Sequence, residues 1–167
     1  MLKKKVVLAV VAALALAVSG AAAAAAVTHS QSSSGTVTLR TTKLGKVLAT
    51  RTGMTLYLFK ADKNGKSACY GQCATYWPPL LKKGALTAGT GLKAKLLGTT
   101  KRKNGTRQVT YAGHPLYRFK LDKAAGDVAG QGQDFFGGKW YVVNAAGLAV
   151  VKKPAATSTG GYGRYGP

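Results

Sequence analysis

Cys69, Cys73 and His114 are the residues whose types alone invite chemistry. Two cysteines four positions apart can close a local disulfide, cycle as a redox pair, or offer two thiolates to a soft metal. Redox pairs usually have Cys-x-x-Cys spacing, and structural zinc needs four ligands, more than these two sulfurs and one imidazole supply. Copper held by two thiolates and an imidazole is chemically reasonable, with Met54 as a further soft ligand. Haem iron is the related alternative through His114 and Met54, although no Cys-x-x-Cys-His attachment is present. In an exported chain the expected arrangement is a structural disulfide with no cofactor. Its five-residue loop would contribute about 2 kcal/mol by the chain-entropy estimate.

Acids are the next scarce type: Asp62, Asp122, Asp127 and Asp134 stand against 25 Lys and Arg, and there is no Glu. Asp62 and Asp122 each close a Tyr-x-Phe-x-x-Asp motif. In a strand, positions i and i+2 share a face, so Tyr57 and Phe59 point the same way, as do Tyr117 and Phe119. These aromatics are expected in the core, with each Asp ending its strand through an Asx-type turn. The alternatives are a buried ion pair with Lys or Arg, or a cation site, although the spacing of Asp122, Asp127 and Asp134 does not match an EF-hand loop. Catalysis finds little support. The chain has no Gly-x-Ser-x-Gly, no phosphate loop and no carboxylate pair in an acid/base setting, so no enzyme is expected.

These residues sit in a duplicated frame. Leu56-Tyr-Leu-Phe-Lys-Ala-Asp-Lys63 returns sixty positions later as Leu116-Tyr-Arg-Phe-Lys-Leu-Asp-Lys123, identical at six of eight positions. The same offset pairs Gly45 with Gly105, Gly53 with Gly113 and Met54 with His114. Trp77 and Trp140 correspond at an offset of sixty-three, so the second repeat carries the longer excursion. One unit used twice is the organising feature.

The chain opens with Met1-Leu-Lys-Lys-Lys5, an apolar run from Val6 to Val18, and small residues through Ala26. This is the pattern of a secretory signal peptide over 1–26, cleaved after about Ala26. An uncleaved membrane anchor is the competing reading, but thirteen strongly apolar residues fall short of the ~20 a bilayer requires. The leader has no Cys, which argues against a lipid anchor. Residues 27–35, with the idle His29, read as a flexible linker. Loss of the three leader lysines leaves 22 basic residues against four acids. So basic an exported domain is expected either to be drawn to anionic wall polymers or membrane surfaces, or to carry a solvated basic coat that keeps it soluble. Specific nucleic-acid binding is not expected, because the lysines are scattered singly without a helix-turn-helix, zinc-finger or RNP motif.

From Thr36 onward the pattern is β. Thr36–Thr42, Lys46–Arg51 and Thr55–Lys60 read as strands in the first repeat, residues 36–92. Lys95–Thr100, Thr106–Tyr111 and Pro115–Lys120 correspond in the second, residues 93–153, followed by a final hairpin over 140–144 and 147–151. Asn104-Gly105 predicts a type I′ hairpin turn. The tandem prolines of Tyr76–Leu81 predict an edge strand or extended cover. No amphipathic helical period follows the leader. The expected fold is all-β, two pseudo-symmetric antiparallel meanders forming one sandwich or barrel-like domain and acting as a monomer. The tail, 154–167, is Gly/Tyr-rich and expected to be disordered.

Taken together, several motifs carry a family resemblance. They are Gly53-x-Thr-Leu-Tyr-x-Phe-x-x-Asp62, Cys69-x-Gly-x-Cys-Ala-x-x-Trp-Pro-Pro-Leu80, Arg107-Gln-Val-Thr-Tyr-x-Gly-x-Pro-Leu-Tyr-x-Phe-x-x-Asp122, Gly130-Gln-Gly132 and Trp140-Tyr-Val-Val143. The chain resembles the bacterial secreted repeats of unknown function, also described as lipoproteins with a Tyr-x-aromatic-x-x-Asp motif. The resemblance implies an extracytoplasmic two-repeat domain and transfers no catalytic residue. The lipobox cysteine of many members is missing here.

Overall fold

The computed structural model describes residues 35–151. The expected leader, nearly all of the linker and the tail lie outside those residues.

Both repeats begin with a hairpin. β1 (Val37–Thr42) and β2 (Gly45–Thr50) pair antiparallel, from Val37 opposite Thr50 to Thr42 opposite Gly45. β4 (Leu97–Lys101) and β5 (Arg107–Tyr111) pair in the same way in the second repeat, and β5 continues into β6 (His114–Pro115). β3 (Tyr57–Phe59) pairs with β8 (Gly138–Val142), whose other edge takes β7 (Asp134–Phe135). The result is three small antiparallel sheets, ordered β1-β2, β3-β8-β7 and β4-β5-β6. It is an all-β domain of two repeats without a closed barrel. The helical content is slight: α1 (Gln72–Tyr76) is five residues long, and one 3-10 turn spans Ala94–Leu96.

The repeats do not fold side by side; each lends its tryptophan segment to the other. Leu58 of β3 lies opposite Tyr141, and Lys60 N–H bonds to Lys139 O at 2.9 Å. In mirror fashion Arg118 N–H bonds to Pro78 O at 2.9 Å, and Lys120 N–H to Tyr76 O at 2.8 Å. At the centre Tyr57 and Tyr117 exchange both backbone hydrogen bonds, at 2.9 and 3.0 Å. The two motif strands therefore meet antiparallel about a pseudo-twofold axis. The proline segment is extended, as expected, but is not a bare edge. It offers carbonyls to Arg118 and Lys120 on one side, where Leu80 N–H also donates to Leu116 O at 2.8 Å, and Leu80 O accepts Val109 N–H at 2.8 Å on the other. Pro78 and Pro79 are tolerated there because it is chiefly acceptors that this stretch supplies.

Alternation along the central strands splits the core in two. Tyr57, Phe59, Tyr117 and Phe119 enter an aromatic cluster with Trp77, Trp140 and the two cysteines. Leu56, Leu58 and Leu116 enter an aliphatic cluster with Val37, Leu48, Val109, Tyr111 and Val143 on the other side. A strand buried on both faces has no polar position, which explains the unbroken apolar run Leu56–Phe59.

Turn chemistry corrects one expectation. Around Asn104-Gly105, Gly105 N–H bonds to Arg102 O at 3.0 Å and Arg102 N–H to Thr106 O at 2.9 Å. Gly105 has φ +82° and Asn104 is not in the left-handed region, so this is a three-residue loop with a left-handed Gly rather than a type I′ turn. The Asn-Gly pair with both residues at positive φ, as type I′ requires, is Asn64-Gly65 (+51° and +67°), between the paired Lys63 and Lys66.

Candidate functional site

The residues singled out by the repeat assemble into one cross-repeat lock. Phe59, Trp140, Trp77 and Phe119 form a continuous ring stack, with centroids 4.0, 3.9 and 4.2 Å apart. The Trp77–Trp140 pair at the axis is parallel to within 5°. Tyr57 meets Trp77 edge-on at 5.4 Å, and Tyr117 meets Trp140 edge-on at 5.1 Å. Each phenol then reaches the other repeat's acid. Tyr57 OH donates to Asp122 Oδ2 at 2.7 Å, and Tyr117 OH donates to Asp62 Oδ2 at 2.8 Å. The second oxygen of each carboxylate clasps its own excursion. Asp62 Oδ1 accepts Ala68 N–H at 2.8 Å, and Asp122 Oδ1 accepts Ala129 N–H at 2.9 Å. These clasps reach six and seven residues ahead, well beyond the two of an Asx turn. Gly130 keeps the second clasp close: a Cβ there would lie 2.7 Å from Trp77 Cη2 and 3.0 Å from Tyr57 Cε1.

The remaining acids are also occupied. Asp127 Oδ2 accepts the N–H groups of Lys123 and Ala124, both at 2.8 Å. Asp134 pairs with Lys139 at 2.9 Å on the surface. The buried Asp122 and the half-buried Asp62 thus hydrogen-bond to tyrosines rather than to the Lys or Arg that one alternative suggested.

Burial dominates the ionisation of the lock. It raises Asp62 and Asp122 to about 6 each, while the tyrosine hydroxyl and backbone N–H that each acid accepts hold the rise back. Burial, and then the facing carboxylate, raise Tyr57 and Tyr117, which stay protonated donors. Since the folded-state values lie above the ordinary 3.8, folding favours the protonated acids. Their contribution is full below about pH 4 and is lost as pH rises toward 6, on the order of 3 kcal/mol for buried Asp122 and less for half-buried Asp62, which solvent screens. His114, lowered by burial and by Lys60, works in the opposite direction and loses stability as pH falls below 6.5. Comparing urea midpoints of the wild type with Asp62→Asn/Asp122→Asn between pH 4 and 7 isolates the carboxylates. The wild type is expected to lose more stability than the double variant as pH rises.

A residue that sequence reading missed completes the first repeat's side. Arg102 is buried under the disulfide loop. It donates through Nη1 to Ser67 Oγ (2.8 Å) and Gln108 Oε1 (2.6 Å), and through Nη2 to Cys69 O (2.7 Å). Its guanidinium lies 4.4 Å from the Tyr70 ring centroid. Ser67 Oγ is also hydrogen-bonded to Tyr117 Oη at 2.8 Å, which connects the arginine to Asp62 through two hydroxyls. Nothing in its sequence setting separates Arg102 from the other cations.

Cys69 and Cys73 form the expected disulfide. Their sulfurs are committed to each other, so the thiolates of the copper alternative are not on offer in this state. Among the described residues no three His, Cys, Asp or Glu side chains are grouped to hold a metal ion. His114 sits half-buried at the start of β6, and Met54 N–H donates to Thr50 Oγ1 in its own turn. Replacing both cysteines by Ser is expected to cost about 2 kcal/mol, read as a lower urea midpoint.

What remains at the surface is positive charge. Among the described residues every Lys and Arg except Arg102 is exposed, and Asp134–Lys139 is the one ion pair. The lock is sealed, with Tyr57, Trp77, Tyr117 and Trp140 all fully buried. Its aromatic centre therefore serves to position the two repeats.

This architecture defines a two-repeat, disulfide-carrying all-β module of the secreted type. The family of secreted repeats of unknown function matches residues 38–81 and 98–144, one match per repeat, and the chain belongs to that family. Its description as secreted agrees with the disulfide in placing the domain outside the cytoplasm. No curated protein and no solved structure matches the chain.

Proposed function

We propose that this protein is a non-enzymatic envelope module that holds anionic polymers through its basic surface. One observation carries the reading: the acids are turned inward or neutralised while the cations are left outside. Two carboxylates belong to the lock, a third receives backbone N–H groups, and the fourth is paired with Lys139. The surface field is therefore almost uniformly positive, as suits a partner of repeated negative charge. Such binding is screened by salt, since the Debye length falls from about 10 Å at 0.1 M to about 3 Å at 1 M. The test is retention on purified cell-wall preparations. The reading expects retention at low salt and release at high salt; retention unchanged by salt, or none at low salt, contradicts it.

A further inference from the structure

On the positive surface the fold aligns three cations across three neighbouring strands. Lys101 of β4 lies directly opposite Arg107 of β5. On the other side of β5 the Trp-Pro-Pro strap continues the ladder, with Leu81 opposite Gln108 and Lys82 N–H bonded to Arg107 O at 2.8 Å. Lys82, Arg107 and Lys101 therefore occupy one cross-strand row, and directly opposite residues project to the same face. Adjacent strands lie about 4.8 Å apart, so the row spans roughly 10 Å. All three side chains are exposed, and Lys83 and Lys103 flank them in exposed positions. Like charges placed directly opposite oppose folding. Nothing within the domain relieves them, because the one ion pair among the described residues lies elsewhere. Arg107 is also aimed: its Nη1 donates to Thr99 Oγ1 at 3.2 Å, which leaves the rest of the fork for a ligand.

We propose that the row Lys82–Arg107–Lys101 is the binding site for a linear phosphate-bearing polymer other than nucleic acid. The inference rests on the anionic-polymer reading and locates it. Arginine presents a planar donor fork that matches phosphate oxygens in pairs, and lysines on either side act as point charges for the neighbouring groups. A linear polyanion lying across the strands places successive charges over successive strands. A compact single anion would engage only the central arginine.

The experiment titrates the full mature chain with long-chain inorganic polyphosphate, poly-glutamate and duplex DNA at low salt. The same titrations are run on Lys82→Gln/Arg107→Gln/Lys101→Gln and on a charge-matched control, Lys46→Gln/Lys95→Gln/Lys123→Gln. All six positions are exposed, and thermal melts verify folding. The expected result is polyphosphate affinity reduced at least tenfold in the row variant and less than threefold in the control. Equal losses in both would overturn the row while leaving the anionic-polymer reading intact. A wild type that binds none of the three polyanions would overturn that reading itself. Tighter binding of poly-glutamate would overturn the phosphate assignment, and tighter binding of DNA would overturn the partner class.

Discussion

Trp140→Ala is expected to lower the unfolding free energy by about 4 kcal/mol, the range for emptying a buried aromatic site. The indole is fully buried, stacked on Phe59 at 4.0 Å and on Trp77 at 3.9 Å, and its Nε1 donates to Phe135 O at 3.3 Å. Its removal takes one ring out of the middle of a four-ring column whose members come alternately from the two repeats. The neighbours cannot close the gap, because β8 is fixed by its ladder to β3. Domains of this size are stable by roughly 5–15 kcal/mol, so the variant retains a small margin. Trp77→Ala should cost a similar amount. The double variant should fall short of the sum, because the two substitutions delete the same 3.9 Å contact. Equilibrium urea unfolding followed by far-UV circular dichroism reads all three. A loss below about 2 kcal/mol for each single variant would mean that the column is not the centre of the core.

The second large effect belongs to Asp122→Ala, expected to cost about 3 kcal/mol. The substitution strands two donors at once, the buried Tyr57 hydroxyl and the part-buried Ala129 N–H. Leaving a buried donor unpaired costs about 1–3 kcal/mol. Asp122→Asn should cost much less, about 1 kcal/mol. The amide oxygen still accepts Ala129 N–H, and the amide nitrogen can donate to a rotated Tyr57 hydroxyl. The contrast separates the lost hydrogen bonds from the lost charge. Hydrogen exchange adds a local readout: the amides of Ala129 and Gly130 should lose protection in Asp122→Ala, because the carboxylate and the Tyr57 hydroxyl are their acceptors.

Much of this frame is legible in the chain itself. The sixty-residue offset makes Tyr57 and Tyr117 equivalent, and strand alternation places each with its Phe on one face. The offset of sixty-three for Trp77 and Trp140 anticipates two equivalent rings. The disulfide follows from two cysteines in an exported chain. The exchange of partners is hidden. A repeat shows which residues are equivalent, but not whether Tyr57 meets its own Asp62 or the Asp122 of the other copy. That choice depends on the antiparallel meeting of the strands at Tyr57 and Tyr117, a non-local event with no local sequence signal. Arg102 was illegible for another reason. Its burial comes from the disulfide loop folding over the β4–β5 turn, whereas its neighbours Lys101 and Lys103 are exposed cations. Asn104-Gly105 misled because the same dipeptide serves a two-residue turn and a longer bulged loop, and strand register decides between them. Ala112 and Phe136 fill positive-φ turn positions at +49° and +58°, which residue type does not suggest.

The central claim is that the repeats are locked by exchange, tyrosine of one to aspartate of the other. Double-mutant cycles on urea stability test it most directly. One cycle combines Tyr57→Phe with Asp122→Ala across the repeats, and the other combines Tyr57→Phe with Asp62→Ala within one repeat. The account predicts a coupling of about 1.5–3 kcal/mol in the first, the range for a hydrogen bond to a charged group, and less than about 0.5 kcal/mol in the second. Coupling within the repeat and none across it would contradict the lock.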